Sequence, residues 1–186
     1  MNILKKTTVL LIVKQTTMKP YSLIILFAAL TISGLQAQAN TTDLPDLKSA
    51  GEISLKTFAG TWYEISRIPN PVDSDLYNVT ITYVRKGDNK LKETLKGNKA
   101  NGKSVKIKSN LTYTGDGRFN GPIGGKYIIL AIHEKMQHCM LGTPDRKYLW
   151  ILSRSNTMKN NTYNTLVSKA DKMGFSILLM QMNEYK

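Results

Sequence analysis

Between residues 60 and 154 the chain is a series of short runs in which apolar and polar residues alternate, and each run ends in turn-forming residues. This period of two is the signature of strands with one buried face. Asn78 to Val84 sets Val79, Ile81 and Tyr83 against Thr80 and Thr82, and stops at Lys86-Gly-Asp-Asn89. Lys103 to Thr114 sets Val105, Ile107, Leu111 and Tyr113 against Lys106 and Lys108. Trp62 to Ile68 stops at Pro69 and Pro71, and Leu91 to Lys96 alternates more weakly before Gly97. Lys126 to Ile132 is almost continuously apolar, and His138 to Leu141 and Tyr148 to Arg154 follow, joined by Gly142-Thr-Pro-Asp-Arg-Lys147. Turn signals at intervals of about 8–12 residues, with no strand–helix–strand alternation, predict an all-β sandwich or barrel. The glycine-rich stretch from Gly115 to Gly125 reads as loop. A strand there is either absent, leaving a gap, or a stub around Arg118 to Asn120.

Two helical signals interrupt this pattern. Leu55 to Phe58 reads as a short helical turn. Later, Tyr163, Leu166, Val167, Ala170 and Met173 fall on one helical face, with Asn164, Lys169, Asp171 and Lys172 opposite. Gly174 is placed to end that helix in a left-handed conformation, and Phe175 to Met182 reads as a final strand. Strands followed by one amphipathic helix predict a closed barrel with the helix packed on its outer wall.

Residues 1–39 read as a leader. Lys19 precedes the uncharged apolar run from Tyr21 to Ile32, and Ala37-Gln-Ala39 supplies a small-residue cleavage site. The run is shorter than the roughly 20 residues that span a bilayer. Met18 is an alternative start. Residues 40–54 form a polar arm, and residues 55–186 the barrel domain, which is expected to be exported to the periplasm or secreted. Cys139 is the only cysteine, so an intrachain disulfide is excluded. The leader also lacks the cysteine that lipid anchoring needs, which predicts a soluble product. The 26 basic residues outnumber the 13 acidic ones. Such a balance suits an anionic membrane surface, but the lysines are spread along strands and turns, as on solvated faces, and nucleic acid is not expected as a partner.

Chemistry-bearing clusters are scarce. His133 and His138 are the only histidines. Adjacent strand residues point to opposite faces, so His138 cannot easily activate Cys139. No zinc spacing appears, and Gly121-Pro-Ile-Gly-Gly-Lys126 departs from a phosphate-binding loop in spacing and precedes a strand. No catalytic residue, metal ligand or cofactor is assigned.

Gly60-Thr-Trp62-Tyr-Glu64, at the start of the first strand, resembles the G-x-W signature of lipocalins. Thr143-Pro-Asp-Arg-Lys-Tyr148-Leu-Trp-Ile-Leu-Ser-Arg154 resembles the last block of that family. With the strand count and the late helix, the chain is most similar to bacterial lipocalins of the group related to apolipoprotein D. The resemblance implies an eight-stranded antiparallel up-and-down lipocalin β-barrel with one C-terminal α-helix packed outside. It assigns Gly60, Trp62 and Arg154 to the closed end, with the guanidinium lying over the indole.

The family pattern points Trp62, Glu64 and Ser66 inward, and likewise Val79, Ile81, Tyr83, Tyr148, Trp150 and Leu152. By similar parity Leu95, Ile107, Leu111, Tyr113, Tyr127 and Ile129 are expected to line the cavity. The implied function is binding, storage or transport of a small hydrophobic ligand, a fatty acid, lysophospholipid or similar lipid, in the barrel cavity, in the service of envelope lipid maintenance.

Two other readings remain open from sequence. One is an enzyme on a calycin-type barrel, using Glu64 with Tyr83 or Tyr113. The other is an outer-membrane-associated protein-binding module, using an apolar patch around Ile68 to Leu76. The sequence also departs from the family at Ile132-His-Glu-Lys-Met136, which puts a set of closed-end hydrogen bonds in doubt, and at Cys139, read as a buried thiol.

Overall fold

The computed structural model describes residues 44–121 and 125–185. The expected leader and residues 122–124 of the glycine-rich loop lie outside the described residues. In chain order the elements are α1 (Leu55–Phe58), β1 (Gly60–Ile68), β2 (Tyr77–Arg85), β3 (Lys90–Asn98), β4 (Ser104–Gly115), β5 (Arg118–Asn120), β6 (Lys126–Ile132), β7 (His138–Gly142), β8 (Leu149–Ser153), α2 (Asn160–Lys172) and β9 (Gln181–Met182).

Each of β1 to β8 pairs antiparallel with the next, and β1 also pairs with β8, which closes the barrel. The closure depends on β1 being shared. Its first residues, Gly60 to Tyr63, pair with β2, whereas Tyr63 to Ile68 pair with β8. Where β1 parts from β2, β9 pairs with Ser66 and Arg67. The strand expected over Phe175 to Met182 is thus corrected. Phe175 is buried against the outer wall, residues Ile177–Leu179 form a 3-10 turn, and only Gln181 and Met182 pair. Of the two readings of the glycine-rich stretch, the stub holds: three residues of β5 bridge β4 and β6.

Side-chain alternation divides the apolar residues between two cores. The inner core includes Phe58, Trp62, Val79, Ile81, Leu95, Leu111, Ile129, Leu141, Trp150 and Leu152. The outer core packs Ile65, Ile68, Ile128, Leu130, Met140, Leu149 and Ile151 against Leu166 and Ala170 of α2, Phe175, and Leu47 of the N-terminal arm. Gly174 ends α2 with φ of +84°, a conformation open mainly to glycine. Gly142 is needed for a different reason: a Cβ there would lie 2.6 Å from the Phe175 ring.

A bulge between Glu64 and Ser66 changes the phase of β1. Ile65 enters the outer core, and Ser66 lies opposite Ile151, an outer-core residue. Arg67 lies opposite Trp150, an inner-core residue. The inward assignment of Ser66 is therefore corrected, and Arg67 takes that side instead.

Candidate functional site

The closed end is built around Trp62, which is wholly buried. Its indole N–H donates to the Phe58 carbonyl at 2.9 Å, so the plug is fastened to α1. The Phe58 ring lies 5.4 Å from Trp62, 5.1 Å from Tyr83 and 5.8 Å from Phe119, making an aromatic floor. Arg154, just beyond β8, places its guanidinium carbon 3.7 Å from the centre of the indole. The same guanidinium donates to the carbonyls of Thr57, Phe58, Ala59 and Thr61 at 2.9–3.0 Å, and to Met136 at 3.3 Å. It thereby satisfies the carbonyls that so short a helix leaves unpaired. Gly60 has φ of +101°, and a Cβ there would sit 3.2 Å from Arg154 Nη1. Gln137 accepts the Arg154 backbone N–H at 2.8 Å. The divergent turn near Met136 therefore holds the closed end through main-chain carbonyls, which its side-chain sequence does not reveal.

At the opposite end, the loop of residues 69–76 between β1 and β2 is drawn inward by buried charges. Arg67 donates to Glu64 Oε1 at 2.5 Å and to the Leu76 carbonyl at 2.8 Å, and its Nε lies 3.4 Å from Asp73 Oδ1. Asp73 Oδ2 accepts the Trp150 indole N–H at 3.0 Å. Asn183 donates to Glu64 Oε1 at 3.2 Å, which joins the C-terminal segment to the cluster. Burial and the nearby Asp73 push the Glu64 carboxyl up to about 7, against the pull of Arg67 and Asn183.

Between these ends lies a cavity lined by Ile81, Tyr83, Leu95, Leu111, Tyr127, Leu141, Trp150 and Leu152, with Asp73 at the loop and Glu93 on β3. Its volume is about 40 Å³, well below the roughly 300–1,000 Å³ of small-molecule sites. That is room for about three or four waters, at ~10–15 Å³ each, so a larger guest requires the lining side chains to move apart.

Seven of the expected lining residues meet at this cavity: Ile81, Tyr83, Leu95, Leu111, Tyr127, Trp150 and Leu152. Five others face the inner core without lining it. Val79 and Ile129 are wholly buried in packing, and Ile107, Tyr113 and Tyr148 pack against its edges. Tyr113 donates instead to Glu52 at 2.6 Å beside the β4–β5 turn. Glu64 is corrected from lining residue to member of the buried ion cluster. Its pairing with Tyr83 or Tyr113 is not assembled: the Glu64 carboxyl is bonded by Arg67 and Asn183, Tyr83 stands opposite Glu93, and Tyr113 bonds Glu52.

Sequence reasoning missed Asp73, Glu93 and Leu141. Parity could have found Glu93, which shares a strand face with Leu91 and Leu95. Asp73 lies in a loop, where no periodicity applies. Cys139 is wholly buried in the inner core, and that burial raises its thiol pKa. In the suspected patch Ile68 and Leu76 are buried, Val72 is half-buried and Pro71 is exposed. Among the described residues, no group of three or more His, Cys, Asp or Glu side chains is placed to hold a metal ion.

Comparison with known proteins agrees with this geometry. A family model described as a lipocalin-like domain matches residues 53–184. The outer membrane lipoprotein Blc of Escherichia coli (strain K12) is 32% identical over 130 residues, covering 66% of this chain and 73% of Blc. Temperature-induced lipocalin-1 of Arabidopsis thaliana is 28% identical over 153 residues, covering 73% of this chain and 81% of that protein. Among solved structures, insecticyanin from the tobacco hornworm Manduca sexta superposes with a TM-score of 0.61 at 19% identity, covering 76% of this chain and 86% of its own. At that identity the likeness concerns the fold.

Two predictions follow from the ends of the barrel. Arg154→Lys should not restore what Arg154→Met loses, because one ammonium cannot serve five carbonyls and an indole face. Both variants should lose about 1–3 kcal/mol in urea unfolding, and a change below measurement error would refute the clamp. The second concerns Glu64, whose carboxyl pKa is raised on folding from 4.5 to about 7. The folded state thus holds this proton more tightly than the unfolded chain does. The group's contribution to stability is therefore present at low pH and is lost as pH rises through that window. Thermal melts of wild type and Glu64→Gln should diverge between these pH values, with the wild type losing ground as pH rises.

Proposed function

This chain belongs to the lipocalin family, whose members bind small hydrophobic ligands, and from that premise we propose that it holds a single-chain lipid or similar apolar guest in its barrel rather than transforming one. The observation that carries this reading is the apolar and aromatic lining of the small cavity between the aromatic floor and the Asp73 loop. The mechanism is partition. Each methylene moved from water into such a lining gains about 0.8 kcal/mol. Fatty acids and lysophospholipids are the ligands that the family resemblance implies, and storage or transport of such lipids in the cell envelope is the task that fits an exported barrel.

A membrane surface is the partner proposed beyond the ligand. The outward positions of β2 to β4 carry Lys92, Lys96, Lys106 and Lys108, with Lys86 at the adjoining turn. Lys96 stands directly opposite Lys106, an arrangement that costs stability between like charges. The outward residues of these strands include no carboxylate. A flat lattice of ammonium groups complements the two-dimensional array of phosphates on an anionic bilayer. No helix among the described residues is long and apolar enough to cross a membrane.

Protein purified from its own host should release a lipid on organic extraction, and native mass spectrometry should show the matching mass on the folded chain. Leu95→Trp, which fills the cavity, should weaken binding of an apolar fluorescent probe at least tenfold while leaving the strand spectrum by circular dichroism intact. Unchanged probe binding would refute the cavity as the site. On the outer face, wild type should float with phosphatidylglycerol vesicles at low salt and dissociate at high salt. Lys96→Glu with Lys106→Glu should abolish flotation, and flotation that survives both changes would place the contact elsewhere.

A further inference from the structure

The cavity is lined by two carboxylate residues, Asp73 and Glu93, and by no lysine, arginine or histidine. Asp73 is engaged, with Trp150 on one oxygen and Arg67 facing the other. Glu93 is held differently. The Ser109 hydroxyl donates to its Oε1 at 2.7 Å, and Tyr83 stands directly opposite it across the ladder. These three residues are direct neighbours across β2, β3 and β4: Tyr83 stands opposite Glu93, and Glu93 opposite Ser109. The strand ladders therefore fix the carboxylate in place, as a rigid scaffold does for a polar recognition group. No cation is close enough to offset its charge, and burial raises its pKa. A carboxylate offers about four acceptor positions, and the Ser109 hydroxyl leaves some of them for a guest. An acidic side chain in an otherwise apolar lining, held by a donor but by no counter-charge, is an acceptor facing the space a ligand would fill.

We propose that Glu93, positioned by Tyr83 and Ser109, is the polar subsite of the cavity and that it selects amphiphiles whose end is a hydrogen-bond donor, a long-chain alcohol or amine, over the corresponding carboxylic acid. The inference rests on the cavity being the ligand site. An alcohol would donate its O–H to the carboxylate, and an ammonium would pair with it, both as charge-assisted bonds. A fatty-acid carboxylate would meet a second carboxylate with no counter-ion. Two like charges at that range cannot both remain ionised, so one must take up a proton. Acids are then left with the option of keeping their charge at the mouth, where the buried Arg67 is already engaged by Glu64 and Asp73.

The test is a competition assay against an apolar fluorescent probe, with hexadecanol, hexadecylamine and hexadecanoic acid as competitors of one chain length. With wild type, the alcohol and the amine should displace the probe at concentrations at least about tenfold below that of the acid, as expected for a charge-assisted bond. Glu93→Val should lose that preference, whatever its absolute affinity for the probe. Glu93→Gln should retain the alcohol and lose the advantage of the amine, a split that a merely structural role for Glu93 would not produce. Binding of all three competitors without preference, or a preference unchanged in Glu93→Val, would overturn the inference while leaving the cavity as a lipid site. Failure of the probe and of every competitor to bind wild type would overturn the cavity reading and this inference with it.

Discussion

A tube of strands has no inherent floor, and the interaction that supplies one here is the grip of Arg154 on α1. One planar cation lies over the Trp62 indole and accepts the burden of five carbonyls around it. Four of those carbonyls belong to residues 57–61, where a helix of four residues turns into β1. The Phe58 carbonyl also receives the Trp62 indole N–H, so indole and guanidinium together tie the end of the helix to the barrel wall. The clamp also decides what else can be present. Gly60 is required because the guanidinium approaches the backbone, and the Met136 turn is required because it brings the remaining carbonyls to the arginine.

The other end is governed by burial of charge. Glu64, Arg67 and Asp73 are each almost fully buried, and such clusters offer little net stability compared with apolar packing. Their effect is positional. Arg67 reaches the carbonyls of Ser74 and Leu76 while facing Asp73, so the loop of residues 69–76 is folded down over the barrel mouth. The bulge in β1 makes this geometry available, because without it Arg67 would point to the outer wall. Strand irregularity, ion cluster and inward-folded loop are thus one arrangement.

Much of the architecture was legible in the sequence because it rests on periodicity. Alternation in β2, β4 and β8 reports directly which residues face inward, and Ile81, Leu111 and Leu152 follow from it. The 3.6-residue pattern in α2 and the glycine that ends it were equally readable. What escaped had physical reasons. A bulge inserts one residue without any compositional sign, so Ser66 was assigned to the wrong side. Tyr148 and Tyr113 have the right parity but lie at the ends of the barrel, and parity carries no information about height. Phe175 to Met182 has the composition of a strand, yet the docking of Phe175 beside Gly142 turns the chain away from the sheet until Gln181.

Glu93 shows what weak alternation can mean. The run from Leu91 to Lys96 looked less regular than its neighbours because a charged residue occupies an inward position between Leu91 and Leu95. Read as a departure from pattern, it lowers confidence in a strand. With the strand established by its register against β2 and β4, the same residue is a carboxylate placed in an apolar wall at some cost in desolvation. A sequence shaped only for closing and packing the barrel would put an aliphatic residue there, as it does two positions away on either side. The interruption therefore carries more functional information than the regular positions around it, since those are accounted for by packing alone.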